Sequence, residues 1–227
     1  LKTNLEFGTN AWKLPEKLQW VNYKEAWEGA NFSKYFLNSL ILSAGTVALS
    51  IIMTTTSAYV IGKFVHPVVK SIEVFYSIFM MVPQMLLLIP LMITNALQGV
   101  PFYVFLLTPF MRSINNSILE AAEIDGANQF QSFITLVLPM IVPAIFMVGL
   151  LSFVGIWNEY VMSITFIKDP TKYTLSAGIN ELMNDAKAGQ TLKFAALIIA
   201  MLPILIIYAI FQKPLQNGLS SSDGVKG

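Results

Sequence analysis

A short acidic stretch between two long apolar segments places the strongest constraint on how this chain can fold. The stretch covers residues 120–139 and carries Glu120, Glu123 and Asp125 within six residues. Each of these charges is costly inside the hydrocarbon of a bilayer, whereas the segments on either side are apolar enough to lie there. We therefore predict that this stretch, called the island below, is a structured loop outside the membrane, where a soluble partner can reach it.

The composition is typical of a membrane protein. Of the 227 residues, 55% are hydrophobic and only 12% are charged, whereas about a quarter of the residues in a soluble domain are charged. The formal net charge of +1 does not indicate a nucleic-acid partner. The sequence has no cysteine and a single histidine, His66, which excludes a disulfide scaffold, a thiolate metal site and a histidine metal cluster.

The apolar segments predict an all-α fold, a polytopic transmembrane helical bundle with five visible spans. The predicted spans are about 35–62, 72–97, 93–110, 136–167 and 194–211. Residues 101–110 are too short to cross a bilayer alone, so the third span needs residues 93–100 as its first turns, which leaves no loop after the second span. The polar residues 1–34 precede the spans, and residues 217–227 follow as a Gly/Ser-rich tail that is predicted to be mobile unless a partner holds it.

Small polar residues form a stripe along the first predicted span. They recur at steps of three and four, which places them on one face of a helix; they are Ser39, Ser43, Thr46, Ser50, Thr54 and Ser57. A helix-packing face is the favoured interpretation, because small side chains let membrane helices approach closely, and a substrate-lining face is the alternative. The second span contains Pro83, Gln84 and Pro90. These residues fit a kinked helix whose freed backbone groups are hydrogen-bonded by neighbouring helices. They also fit a broken helix beside a translocation path.

The island is predicted to begin with a helix. Ser117 and Glu120 have the spacing of a capping box, in which each side chain bonds the backbone amide of the other residue. Ala121 and Ala122 are strong helix formers with almost no bulk, so a partner surface can come close to them. Glu120 and Asp125 are interpreted as polar contacts or as caps.

A bend and a second helix are predicted to follow. Gly126 can adopt a positive φ, so it can end the first helix and turn the chain. A second helical stretch, 128–135, then leads to Leu138 and Pro139, where the next span begins. The predicted shape is a helix–bend–helix lying along the membrane surface, and an ordinary amphipathic interfacial loop is the alternative.

The island resembles the EAA loop of the permease subunits of binding-protein-dependent ABC importers. The matching residues, in a loop of about 116–139, are Glu120, Ala121, Ala122, Gly126, Leu136, Leu138 and Pro139, with Leu136 standing where the family has Ile. Three further features resemble the carbohydrate-uptake branch, in particular maltose-permease G-like subunits: the run Asp125-Gly126-Ala127, the pair Trp157-Asn158 and residues 223–227. Such subunits usually have six spans, so a further span is expected before Leu1, and they usually have more residues between the second and third spans.

The resemblance implies a permease subunit of an importer for a sugar or oligosaccharide, with a transmembrane permease domain at 35–216. The sequence has no G-x-x-x-x-G-K-[ST] phosphate loop, so ATP and Mg²⁺ are expected on partner subunits, with no cofactor in this chain. The implied partners are a homologous second permease subunit, two ATPase subunits, an extracytoplasmic solute-binding protein, the sugar and the membrane lipid. The implied location is the bacterial cytoplasmic membrane, with the island and the tail in the cytoplasm and residues 1–34 outside.

Two sets of site residues are predicted on this basis. The ATPase-coupling set is Glu120, Ala121, Ala122, Asp125, Gly126, Leu138 and Pro139. The candidate substrate path is Gln84, Trp157, Asn158 and Tyr160, because aromatic faces stack on sugar rings and amides bond sugar hydroxyls. For Trp157 and Tyr160, anchoring at the membrane interface is the alternative. The partner permease is a second source of sugar contacts.

The sequence shows no catalytic constellation and no metal-ligand set, so we expect a transport subunit rather than an enzyme. Two other functions remain open at this stage. One is an ABC permease for a solute that is not a sugar, such as a polyamine or a phosphate ester. The other is a passive channel or a structural membrane scaffold.

Overall fold

The computed structural model describes residues 1–79 and 91–223, with side chains described as far as Gln212 except at Ala30 and Phe79. Within these residues the chain forms helices and turns and no strand, which confirms the all-α fold class. Gln84, Pro83 and Pro90, and therefore the middle of the predicted second span, lie outside the described residues.

The structure describes twelve α-helices. In chain order they are α1 Asn4–Thr9, α2 Val21–Glu28, α3 Phe32–Lys63, α4 Pro67–Phe79, α5 Leu91–Ser113, α6 Asn116–Ile124, α7 Gln129–Ser132, α8 Leu138–Met140, α9 Val142–Trp157, α10 Val161–Phe166, α11 Leu175–Asn184 and α12 Gln190–Asp223. A π-helical turn, Phe133–Val137, joins α7 to α8. Short 3₁₀ turns at Gly29–Asn31 and Pro170–Lys172 complete the described helical structure.

Three of the described helices are long and apolar enough to cross a membrane. They are α3, α5 and the part of α12 at Gln190–Gln212. At 1.5 Å per residue, the 23 residues of α5 extend roughly 35 Å, which is sufficient for a hydrocarbon core about 30 Å thick. The bent pair Gln129–Met140 and Val142–Trp157 supplies a fourth candidate span. The predicted membrane bundle is thus confirmed, and the described residues account for three or four of its five predicted spans.

Several predicted span boundaries are wrong. Helix α5 begins at Leu91, so residues 93–97 belong to the third span and not to the end of the second. Helix α12 begins at Gln190 and continues to Asp223, so the described part of the predicted mobile tail is helical. Extension of an existing helix fixes one residue for each bond gained, which makes continuation far easier than a new start.

The fourth span also ends earlier than predicted, because polar side chains interrupt the helix after α9. The Asn158 side chain donates to the carbonyl of Val154 at 2.8 Å. The Glu159 carboxylate accepts the backbone amides of Met162 at 2.6 Å and Ser163 at 2.9 Å, at the start of α10. Such local bonds between side chains and backbone compete with a continuous helix, so α10 is a separate short helix.

The chain divides into two packed units. The first unit is Leu1–Ala44 with Val154–Ile207. Here the N-terminal segment is ordered: the Asn4 side chain accepts the amide and the hydroxyl of Thr191 at 3.1 and 2.9 Å, and the rings of Phe7 and Phe194 lie 5.3 Å apart. Residues 1–34 therefore form a small cap on this unit's own helices.

The second unit is Gly45–Phe153 with Tyr208–Gly227, and it contains the island. Its core joins the C-terminal half of α3 to α5, the π-helical turn and the start of α9. The buried core residues are Ala58, Tyr59, Leu107, Met111, Ile114, Phe133, Val137, Ile141, Ala144 and Val148. The second half of the island, from Phe133 onward, is thus part of the central packing of this unit.

The small polar stripe of α3 faces the interior of the protein. Each of Ser39, Ser43, Thr46, Ser50 and Thr54 is buried, while Ser57 shares a 3.1 Å hydrogen bond with the hydroxyl of Tyr76. This burial supports the helix-packing interpretation over the substrate-lining alternative, because a lining face must be open to a passing solute.

Helices α3 and α5 approach each other closely at Gly62. A Cβ atom added to Gly62 would lie 2.6 Å from the Cβ of Met111, which is fully buried. A Cβ atom is held close to its own backbone and cannot rotate away, so the missing side chain of Gly62 is what allows the two helices to approach.

We expect Gly62→Ala to destabilise the protein by about 1–3 kcal/mol, the usual effect of overpacking a filled interior. A thermal unfolding scan in detergent measures this as a lower melting temperature. The matched control is Gly155→Ala in α9, where an added Cβ would meet no atom within 4 Å and where alanine favours the helix by roughly 0.5–1 kcal/mol. Equal loss of stability in both variants would contradict the packing argument.

Candidate functional site

The island adopts the predicted helix–bend–helix shape. Helix α6 follows α5 after a two-residue break, and α7 begins three residues beyond Gly126. No residue of α6 is buried, although Ile118 and Leu119 are partly buried against the core of their unit. The remaining surface of α6 is available to a partner.

The start of α6 is capped differently from the prediction. Asn115 is the N-cap, with φ −63° and ψ 130°, and its side-chain oxygen accepts the amide of Ser117 at 3.0 Å. The predicted capping box of Ser117 and Glu120 is therefore wrong, because Ser117 already lies inside the helix. Asparagine and serine are both strong N-caps, and the residue that fills the role depends on where α5 ends.

A complete capping box occurs instead at the start of α7. The Asn128 side chain accepts the amide of Gln131, and the Gln131 side chain accepts the amide of Asn128, both at 2.9 Å. Both amides are thereby satisfied at the start of a four-residue helix, which has few internal bonds of its own. The sequence signal was an Asn followed three residues later by a Gln.

The end of α6 is closed by the backbone around Gly126, as predicted. Gly126 has φ +88°, its amide donates to the carbonyl of Glu123 at 3.0 Å, and the amide of Ala127 donates to the carbonyl of Ala122 at 2.9 Å. These two bonds form a Schellman motif, with Asp125 as the C-cap and Gly126 in the left-handed region that favours glycine. Because an added Cβ would meet nothing within 4 Å, glycine is required here for backbone conformation and not for space.

Leu138 and Pro139 lie at the bend that connects the island to α9. The axes of Gln129–Met140 and Val142–Trp157 differ by 77°. Two proline residues, Pro139 and Pro143, and the preceding π-helical turn explain the bend, since each interrupts the regular bonding of a helix. These two predicted coupling residues therefore shape the joint between the island and a candidate span.

The exposed surface of the island combines acidic, small and apolar side chains. Glu120, Ala121 and Asp125 are exposed, whereas Ala122 is half-buried. Sequence reasoning missed two large apolar residues beside the bend: Ile124 is 86% exposed and Phe130 is 72% exposed. Large apolar side chains in such a polar setting mark interaction surfaces. In the sequence, the two residues could have been recognised as an isolated Ile and an isolated Phe among polar residues.

The described candidate substrate-path residues, Trp157, Asn158 and Tyr160, do not line one open site. Trp157 is only 2% exposed, its indole N–H donates to the carbonyl of Ala200 at 3.0 Å, and the Phe36 ring lies edge-on to it at 5.4 Å. Neither face of the Trp157 ring is open in this arrangement, and its roles in sugar stacking or interface anchoring stay predictions. Asn158 is exposed, and the Tyr160 hydroxyl donates to the Asn180 side chain at 3.1 Å.

The described residues contain no group of three or more His, Cys, Asp or Glu side chains arranged to hold a metal ion. What the island offers is a rigid, capped and exposed helix at the boundary between apolar helices.

This architecture defines a class of protein, the multi-pass membrane protein with a short exposed helix between its apolar helices. The chain matches the family described as "binding-protein-dependent transport system inner membrane component" over residues 37–221. The chain belongs to this family, and it is a membrane permease subunit of an ABC importer. The resemblance of the island to the EAA loop is thereby explained.

Individual relatives agree with the family match. The chain is 28% identical over 239 residues to the diacetylchitobiose uptake system permease protein NgcG of Streptomyces coelicolor, covering 96% of this chain and 78% of the relative. It is 29% identical over 236 residues to the melibiose/raffinose/stachyose import permease protein MelC of Bacillus subtilis, covering 96% and 85%.

A solved structure shares the fold. The crystal structure of a bacterial ABC transporter involved in the import of the acidic polysaccharide alginate aligns with a TM-score of 0.78 and 20% identity, covering 88% of this chain and 81% of that one. The chain therefore shares its helical fold with a chain of that transporter.

The N-cap assignment predicts a difference between two neighbouring variants. Asn115→Ala should destabilise α6 by about 1 kcal/mol, because the capping oxygen is lost. Hydrogen exchange of the α6 amides should then accelerate by about fivefold. Ser117→Ala is the matched control and should leave exchange unchanged. Faster exchange in Ser117→Ala alone would instead support the capping box of Ser117 and Glu120.

Proposed function

We propose that this subunit imports a sugar or oligosaccharide and that its island is the helix through which partner ATPase subunits drive transport. The observation that carries the proposal is the geometry of α6. It is a nine-residue helix closed at both ends by local bonds, largely exposed, and located where the family has its EAA loop. Such a helix is suited to sit in a groove on a soluble partner and to move as one piece.

The exposed residues of the island have different proposed roles in docking. Exposed Ala121 lets the partner surface approach the helix, while Ile124 and Phe130 act as apolar anchors that become desolvated on binding. Glu120 and Asp125 provide charges at the rim, where they set orientation more than affinity. Of these residues, Asp125 also holds the C-cap position, so its side chain lies beside the turn.

The energy for transport comes from outside this chain. The sequence lacks the phosphate loop that would hold a nucleotide, so we propose that two ATPase subunits bind ATP and Mg²⁺. Closure of the ATPase pair would displace α6 as a rigid body. The displacement would reach α9 through the bend at Leu138 and Pro139 and switch the spans between inward- and outward-facing arrangements.

The proposed assembly contains four further components and a defined orientation. They are a homologous permease subunit, the two ATPase subunits and an extracytoplasmic solute-binding protein, in agreement with the "binding-protein-dependent" description of the family. We propose that the complex lies in the bacterial cytoplasmic membrane. The island and residues 217–227 then face the cytoplasm, and residues 1–34 face outward.

A carbohydrate is the substrate that the relatives favour, since NgcG and MelC are both named for oligosaccharide uptake. Within this subunit, the exposed amide of Asn158 remains a candidate contact for sugar hydroxyls. Because Trp157 is buried, we propose that the partner permease supplies most of the aromatic contacts.

The proposed substrate class predicts selective uptake. Proteoliposomes that contain the whole importer should accumulate a labelled oligosaccharide when ATP is inside and a sugar-binding protein is outside. A polyamine or a phosphate ester, offered with its own binding protein, should not enter. Accumulation of the non-sugar solute would overturn the substrate class, and ATP-independent entry of all solutes would indicate a passive channel.

The proposed coupling role predicts that Gly126→Val separates ATP hydrolysis from transport. Valine at φ +88° costs about 1–2 kcal/mol or more in backbone strain, so the turn changes and α6 is misoriented. The ATPase subunits should still co-purify and hydrolyse ATP, while solute moved per ATP falls several-fold. Gly126→Asn is the matched control, because asparagine tolerates the left-handed region. Unaltered transport in the valine variant would contradict the coupling role.

A further inference from the structure

The last two turns of α3 hold the island at two points. Near the end of α3, the Lys63 ammonium donates to the backbone carbonyl of Ile114 and to the side-chain oxygen of Asn116, the latter at 3.1 Å. Ile114 lies in the connection from α5, and Asn116 is the first residue of α6. Lys63 therefore bonds the point at which the chain enters the island.

The second attachment lies one helical turn earlier. The Tyr59 hydroxyl donates to the side-chain oxygen of Gln129 at 3.0 Å, and Gln129 is the first residue of α7. The Tyr59 ring packs against Phe133 with 4.7 Å between ring centroids. Tyr59 is 6% exposed, so this bond lies in a partly dry environment, where it is stronger than at a wet surface.

The two attachments share one face of α3 and enclose the bend of the island. Residues four apart in a helix lie one above the other, so Tyr59 and Lys63 form a pair. Gly62 lies beside them and brings α3 against Met111 of α5. This close approach brings the short α5–α6 connection within reach of the Lys63 side chain.

Helices α6 and α7 are attached to α3 by few buried contacts of their own. Helix α6 buries no residue and α7 buries only Ser132, while Ile118 and Leu119 are partly buried against the core that includes Tyr59. Apolar packing of this kind has no fixed direction, so hydrogen bonds are the contacts that would keep the island in register with α3 during a push. The Lys63 and Tyr59 bonds are in the positions that such transmission requires.

We propose that Tyr59 and Lys63 are positioning residues that transmit displacement of the island into α3. This inference rests on the proposed coupling function of the island. Helix α3 then moves together with α6 when the ATPase subunits close, and its buried small-residue face slides against its neighbours. The island thus has two outputs, one through the bend into α9 and one through these bonds into α3.

Two variants remove the bonds with the least change in shape. Lys63→Met keeps an unbranched side chain of similar length and removes the ammonium donor. Tyr59→Phe keeps the ring against Phe133 and removes the hydroxyl. In the complete importer reconstituted in proteoliposomes, the solute moved per ATP should fall by about fivefold in each variant, the effect of a hydrogen bond of ordinary strength. Co-purification of the ATPase subunits and the rate of ATP hydrolysis should stay within about twofold of the parent, since neither variant alters the docking face.

Rescue and control variants separate transmission from general stability. Lys63→Arg restores a cationic donor and should recover most of the coupling. Tyr76→Phe also removes one hydroxyl bonded to α3, through Ser57, but it does not touch the island, so its transport ratio should equal that of the parent. If Tyr76→Phe uncoupled transport as strongly as Tyr59→Phe, the two bonds would have only a structural role and the proposal would be overturned.

A distance measurement tests the transmission directly. Because the chain has no cysteine, spin labels can be placed at Thr56→Cys on α3 and Ser117→Cys on α6, both exposed positions. In the parent, the distance between the labels should be the same with and without trapped ATP, since the helices move together. In Lys63→Met and Tyr59→Phe it should change on addition of ATP. A distance that stays constant in the variants would overturn the proposal.

Failure of this inference is distinguishable from failure of the proposed function. If Gly126→Val uncouples transport while the Lys63 and Tyr59 variants behave as the parent, the island is a coupling helix that acts through α9 alone. If the ATPase subunits do not depend on the island for binding, both the coupling role and this inference fail together.

Discussion

The close contact between α3 and α5 is the packing feature on which the site depends. Where Gly62 leaves room, Met111 lies directly against the backbone of α3. The end of α3 is thereby brought beside the connection from α5 to α6, within reach of Lys63. Helix α6 itself buries no residue, so the packing of the helices beneath it sets its orientation.

Stiffness and attachment complement each other in this unit. Asn115 closes the first end of α6, and the Schellman motif around Gly126 closes the second end, so the helix can transmit force without unwinding. Beyond it, the π-helical turn and Pro139 create a bend of 77°. Under the proposed coupling role, this short rigid helix between a fixed entry and a bent exit would convert a push from one side into a rotation of the spans.

The sequence allowed a good prediction wherever the cause was local. Gly126 was predicted to turn the chain because few other residues tolerate a positive φ, and it does so with φ +88°. Predictions failed where two local signals competed. Asn115 and Ser117 are both suitable caps, and Asn158 and Glu159 end α9 inside a stretch that is otherwise apolar enough to continue.

Composition, residue spacing and one glycine were enough to establish the helical membrane class, the exposed island and its bend, because these depend on the solvent preference of each segment and on the backbone conformation of single residues. The burial of Trp157, the role of Gly62 and the bonds from Tyr59 and Lys63 depend on folding of the whole unit. The hydrogen bonds of Lys63, Tyr59 and Trp157 join residues between 43 and 70 positions apart in the chain. Packing determines which faces of distant helices meet, and periodicity along the sequence does not encode this.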